Sequence, residues 1–377
     1  MGLYIRKLDK IANRKLIMQT KIVYVLTCAL EATYIEQALI SIWSARYHNP
    51  DAQILLLIDD KTDELLIGAR GELLNYISKK IVVPFEDTTL TPMYRSRWIK
   101  TQVRQMIEGD FLFIDSDTIC QRPLNDIDNF NCEVGAVLES HLQVSEYCAS
   151  LHESAQKVCA TIGVDIDVEK FYFSSGVLYV KDTKQTHELY ELWHQYWVEG
   201  NAKGLGIDQP SLARSNRKMG HIIKQIPDTY NCILFTHPPF VREAHILHIA
   251  AYRNPSFLFT NKVLNYVREN GIKNNEWLQA MILNPCSSIM PFDYNLKYST
   301  GKERKKWIKE LAEAWQGYGE NIDGTYSEFP MRSRLRDVII FLLVRKYYKV
   351  AIFVLLLWQR VHLLYTKSIV KSNMCAK

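Results

Sequence analysis

Apolar and polar positions alternate along the first half of this chain in blocks: a short apolar run, a polar turn, then a stripe of apolar residues at helical spacing. Residues 22–28 predict a strand, 34–45 a helix, and 54–58, ILLLI, a second strand ending in Asp59 and Asp60. A helical segment near 62–78 precedes the short strand IVVPF. Pro92 then suits the first turn of a helix running through Arg97, Lys100 and Arg104 to residue 107. The run FLFIDSDTI, 111–119, predicts a buried strand after a Gly109-Asp110 turn. Beyond it come an extended EVGAVLE, a helix over 144–161, and KFYFSSGVLYV, whose Ser174-Ser175-Gly176 interrupts a strand-like run. An amphipathic helix over 183–198, a glycine turn at Gly204 and Gly206, an edge-like IIKQIPDTYN and the strand HILHIA complete the pattern. This βαβ rhythm, free of internal repeats and low-complexity tracts, predicts an α/β fold.

Composition narrows the class. With 377 residues and 47% hydrophobic content the chain can bury a sizeable core. Its eight cysteines are scattered without a Cys-x-x-Cys pair, which suggests neither a zinc site nor a disulfide framework and points to a reducing compartment. Residues 1–20 are basic and polar and do not resemble a cleavable signal, so the catalytic portion is expected in the cytosol. Charge is uneven: residues 332–377 hold ten Lys or Arg and one acid, Asp337, whereas the rest has 36 basic and 40 acidic residues. Cations confined to one hydrophobic end are not the profile of a nucleic-acid binder, and no nucleic-acid partner is expected.

The candidate chemistry centres on Asp115 and Asp117. Side chains two apart on an extended segment project to the same side, so both carboxylates can reach one hard cation, and such a cation can hold a diphosphate. Strand ends in open α/β sheets are where ligands usually sit. Two surface acids on a solvated loop are the plainer explanation, and Asp-x-Asp after an apolar run also opens the dehalogenase-type phosphatases.

The order of landmarks over about residues 20–256 resembles the GT-A fold glycosyltransferases, and most closely glycosyltransferase family 8. VLTCALEATY places Thr27, Ala29 and Tyr34 where that family frames its nucleotide base. Arg97 and Lys100 in YRSRWIKTQVR match the basic helix before the family's Asp-x-Asp, which Asp115, Ser116 and Asp117 supply. Phe173-Ser174-Ser175-Gly176 matches the family's Asn-Ser/Ala-Gly strand, with Ser174 in place of Asn, and Asp208-Gln209 its Asp-Gln pair. His248 corresponds to the late metal-binding histidine, with His245 as the competing choice. The resemblance thus implies a mixed sheet flanked by helices, Mn²⁺ or Mg²⁺ on Asp115, Asp117 and His248, and a donor held by Thr27, Ala29, Tyr34, Arg97, Lys100, Ser116, Ser175 and Gly176. It further implies transfer with retention, with Gln209 or Asp208 on the sugar face opposite the leaving group, and favours UDP as the nucleotide. One departure matters: Ala251, Asn254, Pro255 and Ser256 stand where the family continues from histidine to Gly and Lys-Pro-Trp. Arg253 is the remaining candidate for the phosphate-binding cation, although its planar fork is not equivalent to a lysine.

Residues 331–377 contain no Gly or Pro, and two apolar runs flank Arg345-Lys346-Tyr347-Tyr348-Lys349. At about 100° per residue, seven of the cations from Arg334 to Lys371 share an arc of about 120°. A bilayer span would place three cations mid-helix at roughly 2.5 to 3.5 kcal/mol each, so residues 331–371 are expected to lie in a membrane interface with the cations toward anionic headgroups. The predicted organisation is a transferase domain over 20–260, a helical acceptor-side or packing segment over 261–330, and this basic amphipathic helix. The expected partners are a nucleotide-sugar donor, a saccharide or lipid-linked saccharide acceptor, and the cytosolic face of a membrane. The two rivals are a phosphatase using Asp115 and Asp117, and a catalytically silent nucleotide-sugar-binding membrane protein.

Overall fold

The computed structural model describes residues 18–147, 149–234, 240–249, 256–285 and 350. Seven strands form the main sheet in the order β3-β2-β1-β4-β7-β6-β8: β1 (Lys21–Leu26), β2 (Ile54–Asp59), β3 (Lys79–Val83), β4 (Phe111–Ile114), β6 (Val134–Leu138), β7 (Phe173–Val180) and β8 (Ile223–Gln225). The β1, β2, β3 and β4 pairings are parallel, and β7 runs antiparallel to both β4 and β6. A smaller sheet joins β5 (Thr118–Cys120), β10 (Ile246–His248) and β9 (Cys232–Ile233).

The inner strands are mostly apolar because both faces of the sheet are covered there, whereas the edge strands β3 and β8 carry exposed lysines. Ile22, Tyr24 and Leu26 of β1 enter one core with Ile54, Leu56 and Ile58 of β2, while Val23 and Val25 enter the other with Leu55 and Leu57. Strand alternation sends successive side chains to opposite faces, and each face needs its own helix layer. Helix α1 (Tyr34–His48) covers the first through Ile35, Ala38, Leu39 and Ile42, and a later helix covers the second through Leu189, Tyr190 and Trp193.

Several predicted elements are broken where side chains compete for the backbone. Residues 62–78 are not one helix but the short α2 (Asp60–Asp63) and a 3-10 segment, Gly68–Asn75. The helix expected over 92–107 is two, α3 (Pro92–Lys100) and α4 (Val103–Met106), with Thr91 capping the first by accepting from the Tyr94 amide. Thr101 stands at the break, its hydroxyl bonded back to the Arg97 carbonyl, a contact that competes with helix continuation. The helix expected over 144–161 is a 3-10 turn, Val144–Glu146, followed by α5 (Ala149–Ala160). IIKQIPDTYN contains only the three-residue β8 and a 3-10 turn, Asp228–Tyr230.

Two differences bear on the site. The strand expected over 111–119 stops at Ile114; Asp115, Ser116 and Asp117 form a turn between β4 of the main sheet and β5 of the smaller one. Ser174-Ser175-Gly176, by contrast, lies inside an unbroken β7, and the irregularity falls in its pairing with β6, whose register shifts between Ala136 and Leu138. The remaining helices are α6 (Lys184–Ala202), α7 (Gln209–Lys218), α8 (Asn261–Asn270) and α9 (Glu276–Leu283). Helices α8 and α9 pack on α1 through Val263, Leu264, Val267 and Leu278, extending the first core. Of the segments predicted toward the C-terminus, 286–330 and nearly all of 331–371 lie outside the described residues, and among the described residues no helix is long and apolar enough to cross a membrane.

Candidate active site

A cleft of about 540 Å³ opens at the C-terminal ends of β1 and β4, the position that open α/β sheets reserve for ligands. Asp115 leaves β4 with its amide donating to the Gly176 carbonyl at 2.8 Å, and the Thr118 hydroxyl closes the turn on the Asp115 carbonyl at 2.9 Å. β5 then pairs antiparallel with β10, setting His248 opposite Thr118. One ligand atom from each of Asp115, Asp117 and His248 falls within 4.8 Å of the others. The turn, rather than an extended strand, achieves the convergence expected of the two aspartates, and a second sheet delivers the histidine.

Gly176 makes the convergence possible. A Cβ there would fall 2.3 Å from His248 Cε1 and 3.1 Å from Asp115 Oδ2, so any side chain would displace both ligands. On its other edge His248 places Nδ1 3.0 Å from Asn231 Oδ1, which fixes Nδ1 as the protonated nitrogen and leaves Nε2, 3.3 Å from Asp117 Oδ1, facing the carboxylates. Burial, the largest single influence, would lower the His248 pKa, but Asp117, Asp115 and Glu139 together outweigh it and the net shift is upward. Asp115 also lies above the usual carboxylate range, pushed up by burial and by Asp117 against the pull of Lys100. Two carboxylates and an imidazole gathered in this way fit a divalent cation. His245, the alternative histidine, stacks on Tyr230 at 4.4 Å between ring centroids and takes no part in the cluster.

Beside the cluster lies a buried charge chain. Lys100 Nζ sits 3.3 Å from Asp115 Oδ1 and 3.3 Å from Asp208 Oδ2, and donates to Ser175 Oγ at 3.4 Å. Arg97 Nε is 2.9 Å from Asp208 Oδ1. Burial would raise the Asp208 pKa, but Lys100 and Arg97 overcome it, and the carboxyl is held below its ordinary value. Asp208 is thus fixed at the head of α7 as a counterion to the two cations, while its neighbour Gln209 donates Nε2 to Glu139 Oε2 at 3.1 Å.

Glu139 was not anticipated from the sequence. It follows β6 in a tight turn whose next two residues, Ser140 and His141, take φ of 60° and 58°. Left-handed backbone at two successive non-glycine residues is costly and gathers at functional sites. Asn231 was likewise missed, because an asparagine in a short loop carries no sequence signal.

Of the other predicted residues, Thr27, Tyr34 and Ser116 line the cleft, and the Thr27 hydroxyl donates to the Pro92 carbonyl at 2.6 Å. Ala29 sits on the exposed loop between Thr27 and Tyr34, outside the cleft lining. Ser174, standing for the family's Asn, is buried and accepts weakly from the Gly176 amide. Arg253, with Ala251, Asn254 and Pro255, lies outside the described residues. Asp59, at the end of β2, is buried against Arg95 and caps α2.

The parallel half-sheet, its terminal cleft and the Asp-x-Asp turn facing a histidine define a GT-A type nucleotide-sugar transferase. The sequence profile of Glycosyl transferase family 8 matches residues 25–249, more than half of the chain, and the protein belongs to that family. It is accordingly a glycosyltransferase. Among solved structures it is similar to the galactosyltransferase LgtC in complex with donor and acceptor sugar analogues (13% identity, TM-score 0.44, covering 69% of this chain and 99% of that one). It is similar too to mouse xyloside xylosyltransferase 1 (15%, 0.41, 61% and 97%) and to the glycosyltransferase GlyE of Streptococcus pneumoniae TIGR4 (17%, 0.42, 71% and 63%). A search of curated protein sequences returns no significant match.

Proposed function

We propose that the protein is a metal-dependent transferase that moves a sugar from a nucleoside diphosphate, UDP for preference, to a saccharide or lipid-linked saccharide acceptor with retention of configuration. The observation that carries this reading is the Asp115, Asp117 and His248 cluster closed on Gly176 and joined through Lys100 to Asp208. A bound Mn²⁺ or Mg²⁺ would supply Lewis acidity on the diphosphate and neutralise the leaving group.

The protein's own residues do the rest. Lys100 and Arg97 place positive charge beside the leaving diphosphate, and Asp208 fixes both in position before substrate arrives, so little reorganisation is needed in the transition state. Gln209, with Nε2 committed to Glu139, keeps its amide oxygen as the acceptor available to the sugar face, where developing positive charge needs a partner. The carboxylate of Asp208, held by two cations, is the poorer nucleophile, so Gln209 is assigned the stabilising role. Beyond Glu139 the cleft continues along Leu151, Ala155 and Val158 of α5 and Tyr172, an apolar wall suited to the flat face of an acceptor sugar.

Release of UDP from a panel of UDP-sugars with Mn²⁺ tests the reading, comparing wild type with Asp117→Ala in the presence and absence of acceptor. Metal-dependent release abolished in the variant supports it. Binding of a UDP-sugar with no release under any acceptor turns the reading toward a silent binder, and hydrolysis of a simple phosphomonoester without UDP release overturns it.

The strongly basic segment over 331–371 supports placement at the cytosolic face of a membrane, where a lipid-linked acceptor would be within reach. Flotation with anionic vesicles of the full chain, but not of a chain ending at 330, is the expected outcome; equal flotation of both removes the membrane proposal and leaves the transferase reading intact.

A further inference from the structure

Residues 28–33 connect Thr27 to Tyr34, both of which line the cleft, and form no regular structure. Such a loop would cost the enzyme ordering entropy each time donor bound, unless something held it beforehand. Two arginines hold it. Arg70 donates Nη2 to the Leu30 and Ala32 carbonyls at 3.2 and 3.1 Å, and Arg268 donates Nη2 to the Glu31 and Ala32 carbonyls at 3.3 and 2.6 Å. Both turn Nε to the same oxygen, Glu36 Oε1, at 2.6 and 3.1 Å, and Glu36 is almost fully buried two residues after Tyr34.

The two arginines come from distant parts of the chain and are latched together. Arg70 lies in the 3-10 segment, whose Glu72 accepts the Ile272 and Lys273 amides just past the end of α8 at 3.0 and 2.9 Å. Gly271 permits this: its φ is +70°, and a Cβ there would collide with the Glu72 carboxylate. Helix α8 is therefore fixed in register with the element that carries Arg70, and Arg268 reaches the loop as its mirror partner. Yet Arg268 stands outside the stretch matched to the transferase family.

We propose that Arg268, supplied by the segment after the family domain, is a positioning residue for the nucleotide end of the donor cleft, acting through Glu36 and the carbonyls of Leu30, Glu31 and Ala32. The proposal rests on the donor-site reading above. It assigns part of the following helical segment to donor binding rather than to acceptor binding or plain packing. Lysine is only a partial substitute, since one ammonium cannot reproduce the Nε and Nη2 fork.

The test uses the full chain with Mn²⁺ and UDP, reading UDP affinity by calorimetry together with donor KM and kcat for Arg268→Ala, Arg268→Lys and Val267→Ala. Val267 is fully buried on the same helix, next to Arg268, and has no polar side-chain atom to offer the loop carbonyls. The expected result is a donor KM and UDP Kd raised about ten-fold in Arg268→Ala, partly restored in Arg268→Lys, with kcat and Mn²⁺ affinity little changed. Val267→Ala should lower Tm and leave donor KM alone. Unchanged UDP affinity in both Arg268 variants, or an equal rise in KM for Val267→Ala, overturns the proposal while leaving the donor site in place. Failure of the wild type to bind UDP at all overturns the donor-site reading and this proposal with it.

Discussion

Gly176 and His248 are packed so closely that a single added carbon on the glycine would lie 2.3 Å from the imidazole ring. The residue on one strand has no side chain because the residue on another needs its volume. Gly176→Ala should therefore leave the sheet folded, since β7 remains fully paired, but push His248 and Asp115 apart. The expected outcome is Mn²⁺ affinity lower by roughly 10- to 100-fold, read by calorimetry, with circular dichroism unchanged. Wild-type affinity in the variant would mean that the three ligands do not act together.

Asn231 governs the same histidine from the other side. With its carbonyl accepting from Nδ1, Nε2 is the nitrogen left for a cation. Asn231→Ala frees the ring to rotate and to change tautomer, and Mn²⁺ affinity should fall by about ten-fold. Asn231→Asp keeps an acceptor in place and should preserve most of the affinity.

Glu139 orients Gln209 by accepting from its Nε2, and its charge also acts on His248. Removing it in Glu139→Ala should lower kcat by about 100-fold through misplacement of the Gln209 amide, with UDP affinity unchanged because the donor's diphosphate end is held elsewhere. A parallel loss of UDP affinity in calorimetry would sink this assignment.

Asp208 should leave a signature in acid. Its folded pKa lies below the ordinary value of 3.8 because Lys100 and Arg97 outweigh burial. The protons it takes up on unfolding make its contribution to stability full above about pH 4 and lost as the pH falls through the depressed folded value. Wild type minus Asp208→Asn, compared by urea unfolding, should give a difference that is flat from pH 7 to about pH 5 and narrows steadily below the ordinary carboxylate pKa. A difference that grows on acidification would mean that the carboxyl is not held ionised by those cations.

Sequence alone carried the fold class and most of the site's cast. The strands were legible because a sheet covered on both faces demands unbroken apolar runs, as in ILLLI, and Asp115, Asp117, Asp208, Gln209 and His248 stood in an order that resembles a known family's landmarks. Element boundaries were less legible: the helix over 92–107 and the strand over 111–119 looked continuous, because neither the Thr101 back-bond nor the switch between sheets changes local hydrophobicity.

What only the tertiary structure decided is which residues meet. That His248 and not His245 joins the aspartates follows from antiparallel register between β5 and β10, and in a strand three residues apart means opposite faces. That Glu139 holds Gln209, that Asn231 holds His248, and that Arg268 shares Glu36 with Arg70 are contacts between residues separated by 17 to 232 positions. Local pattern records whether a position is buried or turned; it holds no record of what arrives from elsewhere in the chain to touch it.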